Sequence, residues 1–301
     1  MKIFVTGATG FIGKNLIPRL ITEGYQVTAF VLPNDHHANI LELGDVKVRE
    51  GDIRNPISIY DALKDCEAVI HLAAVQESND PEINEAVNFK GVKNIIDVCM
   101  EKKCRRLIHL SSIATCYQEK NYYGIAKEKG DKLVQDSGLD YTILRPTLVY
   151  GRDCHQGPFH TFLGLVNKLP GVVPLVGNGK ALKQPVHVDD VVSAILLALK
   201  STKSIGKYYD VSGGDVIPVE EMVSLILEQS HEKKIVLKIP TGLLYPVACA
   251  LEKINKNPFF TRESLTSATQ DAKLSHAQIK NELGYKPVSF REGLIKTFSS
   301  V

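Results

Sequence analysis

Tyr123 and Lys127 stand four residues apart, a spacing that places both side chains on one face of a helix. A free phenol titrates at about 10 and holds its proton at neutral pH. A neighbouring ammonium favours the phenolate, so such a pair can give or take a proton at a reacting oxygen. The same spacing recurs at Tyr60 and Lys64, so spacing does not choose between them. Tyr123 follows an apolar run that ends in Ser111-Ser112, whereas no serine pair precedes Tyr60. Ser112 offers a hydroxyl that can polarise a carbonyl, and a strand-end cap is the other use of a serine there. Tyr60 is therefore expected in an ordinary surface or packing role. Tyr122 has Ala126 at its own fourth residue and is set aside.

A second constellation lies at the front of the chain, in Thr6-Gly7-Ala8-Thr9-Gly10-Phe11-Ile12-Gly13. It follows the apolar run Ile3-Phe4-Val5 and opens an amphipathic stretch from Phe11 to Glu23. A strand, a glycine-rich turn and a helix in that order make an anion site, because free N–H groups at a helix start point at a phosphate. Gly7 is expected to permit the tight turn, Gly10 to let backbone approach a pyrophosphate, and Gly13 to let the helix pack on the strand.

The elements that must position these residues alternate. Strand-like runs fall at 2–6, 26–31, 46–50, 68–72, 106–110 and 141–144, with helical patterns at 11–23, 56–64, 81–102 and 121–137. The strands are near-continuous apolar runs, as when both faces of a parallel sheet are covered. The fold expected is α/β, a doubly wound parallel Rossmann sheet. Pro18 is expected to kink the first helix. In such a sheet, ligands bind beyond the carboxyl ends of the strands. Those ends carry Asp52 and Ile53, then Leu72, Ala73 and Ala74, then Ser111, and finally Pro146. Asp52 can accept from an adenine amino group or serve as a turn residue. Beyond Gly151 the pattern loosens around Gly157-Pro158, Pro170-Gly171 and Gly177-Asn178-Gly179, before a helix at 188–200 and a strand at 207–211. Residues 1–150 are read as a dinucleotide-binding Rossmann domain and 151–301 as a smaller C-terminal α/β substrate lobe, with about 183–212 returning to the first.

Composition narrows the partners. The 301 residues carry a formal net charge of +2 with acids and bases interspersed, so no basic stripe points to nucleic acid. The six cysteines include no Cys-x-x-Cys pair, and no metal site is expected. With the first strand starting at Lys2 no signal peptide is expected. The apolar stretch Gly242 to Leu251 is too short to span a bilayer. A soluble, cytoplasmic protein without membrane insertion is the expectation.

The Gly-x-x-Gly-x-x-Gly spacing with Phe11-Ile12 resembles the short-chain dehydrogenase/reductase superfamily, in its extended, epimerase/dehydratase-like branch. Leu144 to Gly151, Lys183 to Asp190 and Glu282 to Pro287 resemble further signatures of that branch, so the likeness runs nearly end to end. The resemblance implies an NAD(P)-dependent oxidoreductase or epimerase that moves a hydride to or from a small substrate, with Tyr123 as acid/base, Lys127 beside it and Ser112 as third partner. It also implies cofactor contacts from Gly7, Thr9, Gly10, Phe11, Ile12 and Gly13, from the strand-end residues named above, and from Asn88, Tyr123 and Lys127. Aligned with sugar epimerases the catalytic hydroxyl falls on Ile113, and aligned with sugar 4,6-dehydratases their acidic pair falls on Ala114 and Thr115, which disfavours dehydration. Lys183-Gln184-Pro185 stands where sugar-nucleotide members carry an Arg that clamps diphosphate. That form is similar to atypical members, including relatives of the nucleotide-binding subunit of respiratory complex I, and leaves a non-catalytic NAD(P)-binding sensor or assembly protein as the alternative. Asp189 and Asp190 are read as structural at a helix start, and His187 as a lobe-joining residue. Phe30-Val31-Leu32-Pro33 offers neither the acid of NAD enzymes nor the Arg of NADP enzymes. The cofactor stays open between NAD and NADP, with His36 and His37 as further contributors. A homodimer also stays open.

Overall fold

Seven strands, β1 (Lys2–Thr6), β2 (Gln26–Val31), β3 (Val46–Glu50), β4 (Ala68–His71), β5 (Arg106–Leu110), β6 (Asp140–Pro146) and β7 (Lys207–Val211), pair in the order β7-β6-β5-β4-β1-β2-β3. Every pairing is parallel. This is a Rossmann sheet. The computed structural model describes residues 1–35, 46–76, 78–154, 159–160, 163–164, 170–254 and 262–299. The strand order reverses between β1 and β4, the switch point where a doubly wound sheet opens a crevice. Register lines up the residues that matter there, with Thr6 opposite His71, His71 opposite His109, and Leu110 opposite Leu144.

The helices of the sheet unit are α1 (Phe11–Thr22), α2 (Pro56–Ala62), α3 (Pro81–Asn84), α4 (Gly91–Lys102), α5 (Tyr122–Asp136), α6 (Val188–Lys200) and α7 (Ala277–Leu283). α1 continues through Pro18 to Thr22. Asn121 caps α5 by accepting from the Gly124 N–H at 2.7 Å, and Asn55 caps α2 through the Ile57 N–H. The stretch expected as one helix at 81–102 contains a π-helical segment, Glu85–Lys90, between α3 and α4. Such insertions gather at functional places, and this one carries Asn88. Phe4, Phe30, Ile53, Ile59, Val92, Ile95, Leu107 and Ile143 form the main core between sheet and helices. Each such side chain contributes about 1.5–3 kcal/mol by its burial.

Two compact units account for the chain. The first is Met1–Pro146, Val188–Val211 and Ser275–Lys286, and the second is Thr147–His187, Ser212–Leu274 and Pro287–Val301. The leading segment of the first unit ends at Pro146, and 188–211 and 275–286 rejoin it. Within the second unit Tyr150 packs against Phe159 and Phe290, with ring centroids 5.1 and 5.0 Å away. Among the described residues no helix is long and apolar enough to cross a membrane.

Candidate active site

At the front loop, Gly7 has φ +67°, and a Cβ there would lie 2.7 Å from the Ala73 nitrogen. Only glycine suits that turn. A Cβ on Gly13 would meet the Gly7 and Ala8 carbonyl oxygens at 2.4 and 2.5 Å, so its bare backbone seats α1 on the loop. Gly10 has an ordinary φ of −69° and is exposed, and a Cβ there would meet only the Gly7 oxygen, at 3.2 Å. Phe11 and Ile12 begin the helix partly exposed, in the turn whose N–H groups lack partners inside a helix. The cradle fits a diphosphate. Thr9 donates from its hydroxyl to the Asp35 carboxylate at 2.6 Å. Asp35 lies about twenty residues past the glycines, where dinucleotide sites place a ribose-binding acid. The sequence reading missed it by stopping at Pro33, and that spacing was the signal. His36 and His37 lie outside the described residues.

The other strand ends carry contacts of their own. The Asp52 carboxylate accepts from the Arg54 backbone N–H at 2.8 Å and from its guanidinium at 2.5 to 3.0 Å. The Arg54 hydrogen bonds hold its carboxyl below the ordinary range. Asp52 thus holds a turn with Arg54. Ile53 is a core side chain, and its carbonyl accepts from Asn94 at 2.9 Å. Leu72, Ala73 and Ala74 form the loop against Gly7, with the Ala73 N–H donating to the Thr6 hydroxyl at 3.3 Å. Asn88 is buried, and its amide bonds both the N–H and the carbonyl of Val75, at 2.9 and 2.8 Å, and the Asn84 oxygen. It braces the loop after β4 rather than reaching outward. Pro146 is buried at the end of β6, opposite Val211 of β7.

At the end of β5 the two serines part company. Ser111 is buried and donates to Asp131 at 2.5 Å, with the Tyr208 hydroxyl 3.1 Å away. Its hydroxyl faces inward, to those two groups. Ser112 accepts from the Ala114 N–H at 3.2 Å, opening a 3-10 turn at Ile113–Cys116, and its hydroxyl comes near enough to the Tyr123 phenol to lower its titration. A Cβ on Gly124 would lie 2.7 Å from the Ala114 oxygen, so a glycine beside Tyr123 lets α5 approach that turn. Lys127, one helical turn on, is buried and donates to the Leu110 carbonyl at 2.5 Å. Ser112 and Tyr123 therefore approach each other, while the Lys127 ammonium is held at the Leu110 carbonyl at the end of β5.

Their titration differs from the sequence expectation of a phenol lowered by its lysine. Burial pushes Tyr123 up to about 12, against a lowering by the Ser112 hydroxyl. Burial also brings Lys127 down to about 8. The ammonium is turned to Leu110, so desolvation decides the phenol. Tyr60 is half-exposed, and the Lys102 ammonium lies 3.2 Å above its ring.

In the second unit, Lys183 donates to the Gln270 carbonyl at 2.7 Å, and Gln184 spans the Gly213 carbonyl and the Leu274 N–H. His187 is buried with its ring edge-on to Tyr150 at 5.3 Å. In the first unit, Asp189 and Asp190 stand in the first turn of α6. Among the described residues no group of three or more His, Cys, Asp or Glu could hold a metal ion.

The profile of the NAD dependent epimerase/dehydratase family matches residues 3–212. The chain belongs to that family. It is similar to the 2-alkyl-3-oxoalkanoate reductase of Shewanella oneidensis, 27% identical over 99% of this chain and 86% of that protein. It is also similar to the UDP-glucose 4-epimerase of Vibrio cholerae, 26% identical over 98% of this chain and 94% of that protein. The UDP-glucose 4-epimerase of Thermotoga maritima, solved with UDP-glucose, superposes with a TM-score of 0.81 at 24% identity, covering 99% of this chain and 97% of that one. That likeness is one of fold. The family's epimerase/dehydratase description covers the glycine loop, the Ser-Ser strand end and the Tyr-Lys helix together.

Proposed function

We propose that this family member is an NAD-dependent oxidoreductase that interconverts a carbonyl and an alcohol on a small substrate that is not a sugar nucleotide. The approach of the Ser112 hydroxyl to the Tyr123 phenol, with Lys127 one turn on, carries the reading. When bound, the dinucleotide supplies or takes the hydride. Gly7, Gly10 and Gly13 with the first turn of α1 would hold its diphosphate. Ser112 donates a hydrogen bond to the substrate oxygen and fixes its place. Tyr123 gives its phenolic proton to that oxygen as negative charge builds there, and burial keeps the phenol protonated, as reduction requires. Lys127 supplies the positive charge that stabilises the phenolate left behind.

Two observations support the choice of substrate class. Lys183 and Gln184 are bound to backbone groups of their own unit, where sugar-nucleotide members place a bidentate Arg. One similar protein is named a reductase of an oxoalkanoate. The second unit is read as the part that selects the substrate. NAD is preferred to NADP because Asp35, tied to Thr9, sets a carboxylate against a 2′-phosphate.

The experiment is a substrate panel of 3-oxo acids, simple ketones and UDP-glucose, followed by Tyr123→Phe on the best substrate. Turnover is expected to fall by about 10²–10⁴ with NAD affinity unchanged. Full activity in Tyr123→Phe, or UDP-glucose as the best substrate, sinks the reading. Calorimetry is expected to give NAD at least about tenfold tighter binding than NADP, with Asp35→Asn closing the gap. An equal or tighter NADP affinity in the unaltered protein removes Asp35 from the account.

A further inference from the structure

Behind Lys127 lies a buried polar cluster that the proposed reaction does not use. Asp131 stands one turn beyond Lys127 on the same face of α5. Its Oδ2 accepts from the hydroxyls of Ser111 on β5 and Tyr208 on β7, each at 2.5 Å. Its Oδ1 lies 3.2 Å from Nε2 of His109 on β5, and that same Nε2 lies 3.5 Å from the Lys127 ammonium. His109, Lys127 and Asp131 are all buried. The ring of His71 on β4 stacks on His109 with centroids 5.4 Å apart and is tied through Nδ1 to the Thr6 hydroxyl at 2.7 Å. Arg145 on β6 lies over the Tyr208 ring and is paired with Asp210, so its charge is already matched. Tyr123, on α5 itself, is a further titratable group of this cluster, since the Asp131 charge acts on it.

We propose that Asp131 is the counter-charge of Lys127, transmitted along the edge of His109, and that both are positioning residues that keep the lysine charged inside the sheet. One imidazole nitrogen cannot donate to a carboxylate and accept from an ammonium at once. An ionised Asp131 at 3.2 Å favours the Nε2–H tautomer through its charge, and both Nδ1 of His109 and Oδ1 of Asp131 have no hydrogen-bond partner among the described residues. The ammonium must then be held by the Leu110 carbonyl and by the field of the carboxylate. Asp131 suits that task because its other oxygen is anchored twice. The directions of titration agree. Burial pushes the Asp131 carboxyl up, but His109, Lys127 and Ser111 together bring it below the ordinary range. Burial lowers Lys127, and the Asp131 charge works against that lowering. Burial brings His109 down to about 4, helped by the lysine charge. A neutral ring between an ammonium and a carboxylate leaves the three groups with no net charge, which a buried site tolerates best.

The consequence for turnover rests on the catalytic reading of Lys127, but the test does not. It uses the cofactor-free full-length protein and follows the Lys127 side-chain and His109 ring signals by NMR as pH is varied. In the unaltered protein the His109 nitrogen shifts should report the Nε2–H tautomer. In Asp131→Asn the Lys127 midpoint is expected to fall by about one to two units from its value near 8, by loss of a charge two contacts away. In Lys127→Met the His109 midpoint should rise, since its neighbouring cation is gone. These are reciprocal effects of one coupling. A Lys127 midpoint that stays in place in Asp131→Asn overturns the proposal, as does an Nδ1–H tautomer. If Asp131→Asn does not fold, an unmoved His109 midpoint in Lys127→Met overturns it alone. An inactive enzyme with these shifts intact would count against the proposed function and leave this coupling standing.

Discussion

Two Tyr-x-x-x-Lys pairs lie in the same sheet unit, one running from α2 into the turn that follows it and the other wholly on α5, and they have opposite fates. Tyr60 and Lys64 follow β3, the edge strand, whose residues are largely exposed. There the phenol ring lies open to solvent and under the ammonium of Lys102, a residue of another helix. Tyr123 and Lys127 follow β5, an inner strand, and are held against its serine end. Helical spacing fixes only that two side chains share a face. What that face meets is decided by the strand before it, by the residue that ends that strand, and by small residues such as Gly124 that let the helix come close.

The largest effect should separate the two phenols. Against the loss expected for Tyr123→Phe, Tyr60→Phe should leave turnover within about twofold, because a surface substitution of this kind is worth at most about 0.5 kcal/mol. Equal losses at the two positions would erase the distinction.

The lysines offer a smaller contrast that needs no substrate. Lys127 titrates at about 8 in the fold against an ordinary 10.5. Below pH 8 both folded and unfolded chains carry the charge, and the cost of burying it is fully present. Between 8 and 10.5 the folded protein has released a proton that the unfolded chain retains, so stability attributable to this group rises with pH. Lys127→Met should therefore be more stable than the unaltered protein at pH 7, by up to roughly 3 kcal/mol before the lost Leu110 hydrogen bond is deducted. The advantage should be gone by pH 10.5. Denaturant melts across that range, with the exposed Lys64→Met as reference, test it; a difference independent of pH would mean that the Lys127 charge is not under strain.

Much of this contrast was legible before any coordinates. The glycine loop, the strand runs and the helix patterns depend on residues close in sequence, and their limits agree with the observed elements to within one or two residues over most of the sheet unit. The preference for Tyr123 over Tyr60 rests on the serine pair that ends the strand before it, as in the family the sequence resembles. What escaped was the use of each polar group once the chain had folded. Ser111 turns to Asp131 and to Tyr208, which is nearly a hundred residues away in sequence. Asn88 is occupied by Val75 through a π-helical turn that no periodicity announces. The phenol was expected to be lowered by its lysine, yet burial, a sum over the whole fold, sets it high. A lone histidine in an apolar strand, as His109 is, looks like core in the sequence.

The smallest effect concerns the cation above Tyr60. Lys102 ends α4 with its ammonium 3.2 Å from the Tyr60 ring centroid. An exposed cation–π contact of this kind stabilises by about 0.5–1 kcal/mol. Lys102→Met should lower the stability by no more than that, while Tyr60→Phe, which keeps the ring, should leave it nearly unchanged. Turnover should be untouched in both, since neither residue lies at the β5 end of the sheet. A double-mutant cycle of Lys102→Met with Tyr60→Ala isolates the contact. A coupling near zero would make Tyr60 an ordinary surface residue. A fall in turnover would be the more serious result, because it would place chemistry at the edge strand and undo the distinction between the two pairs.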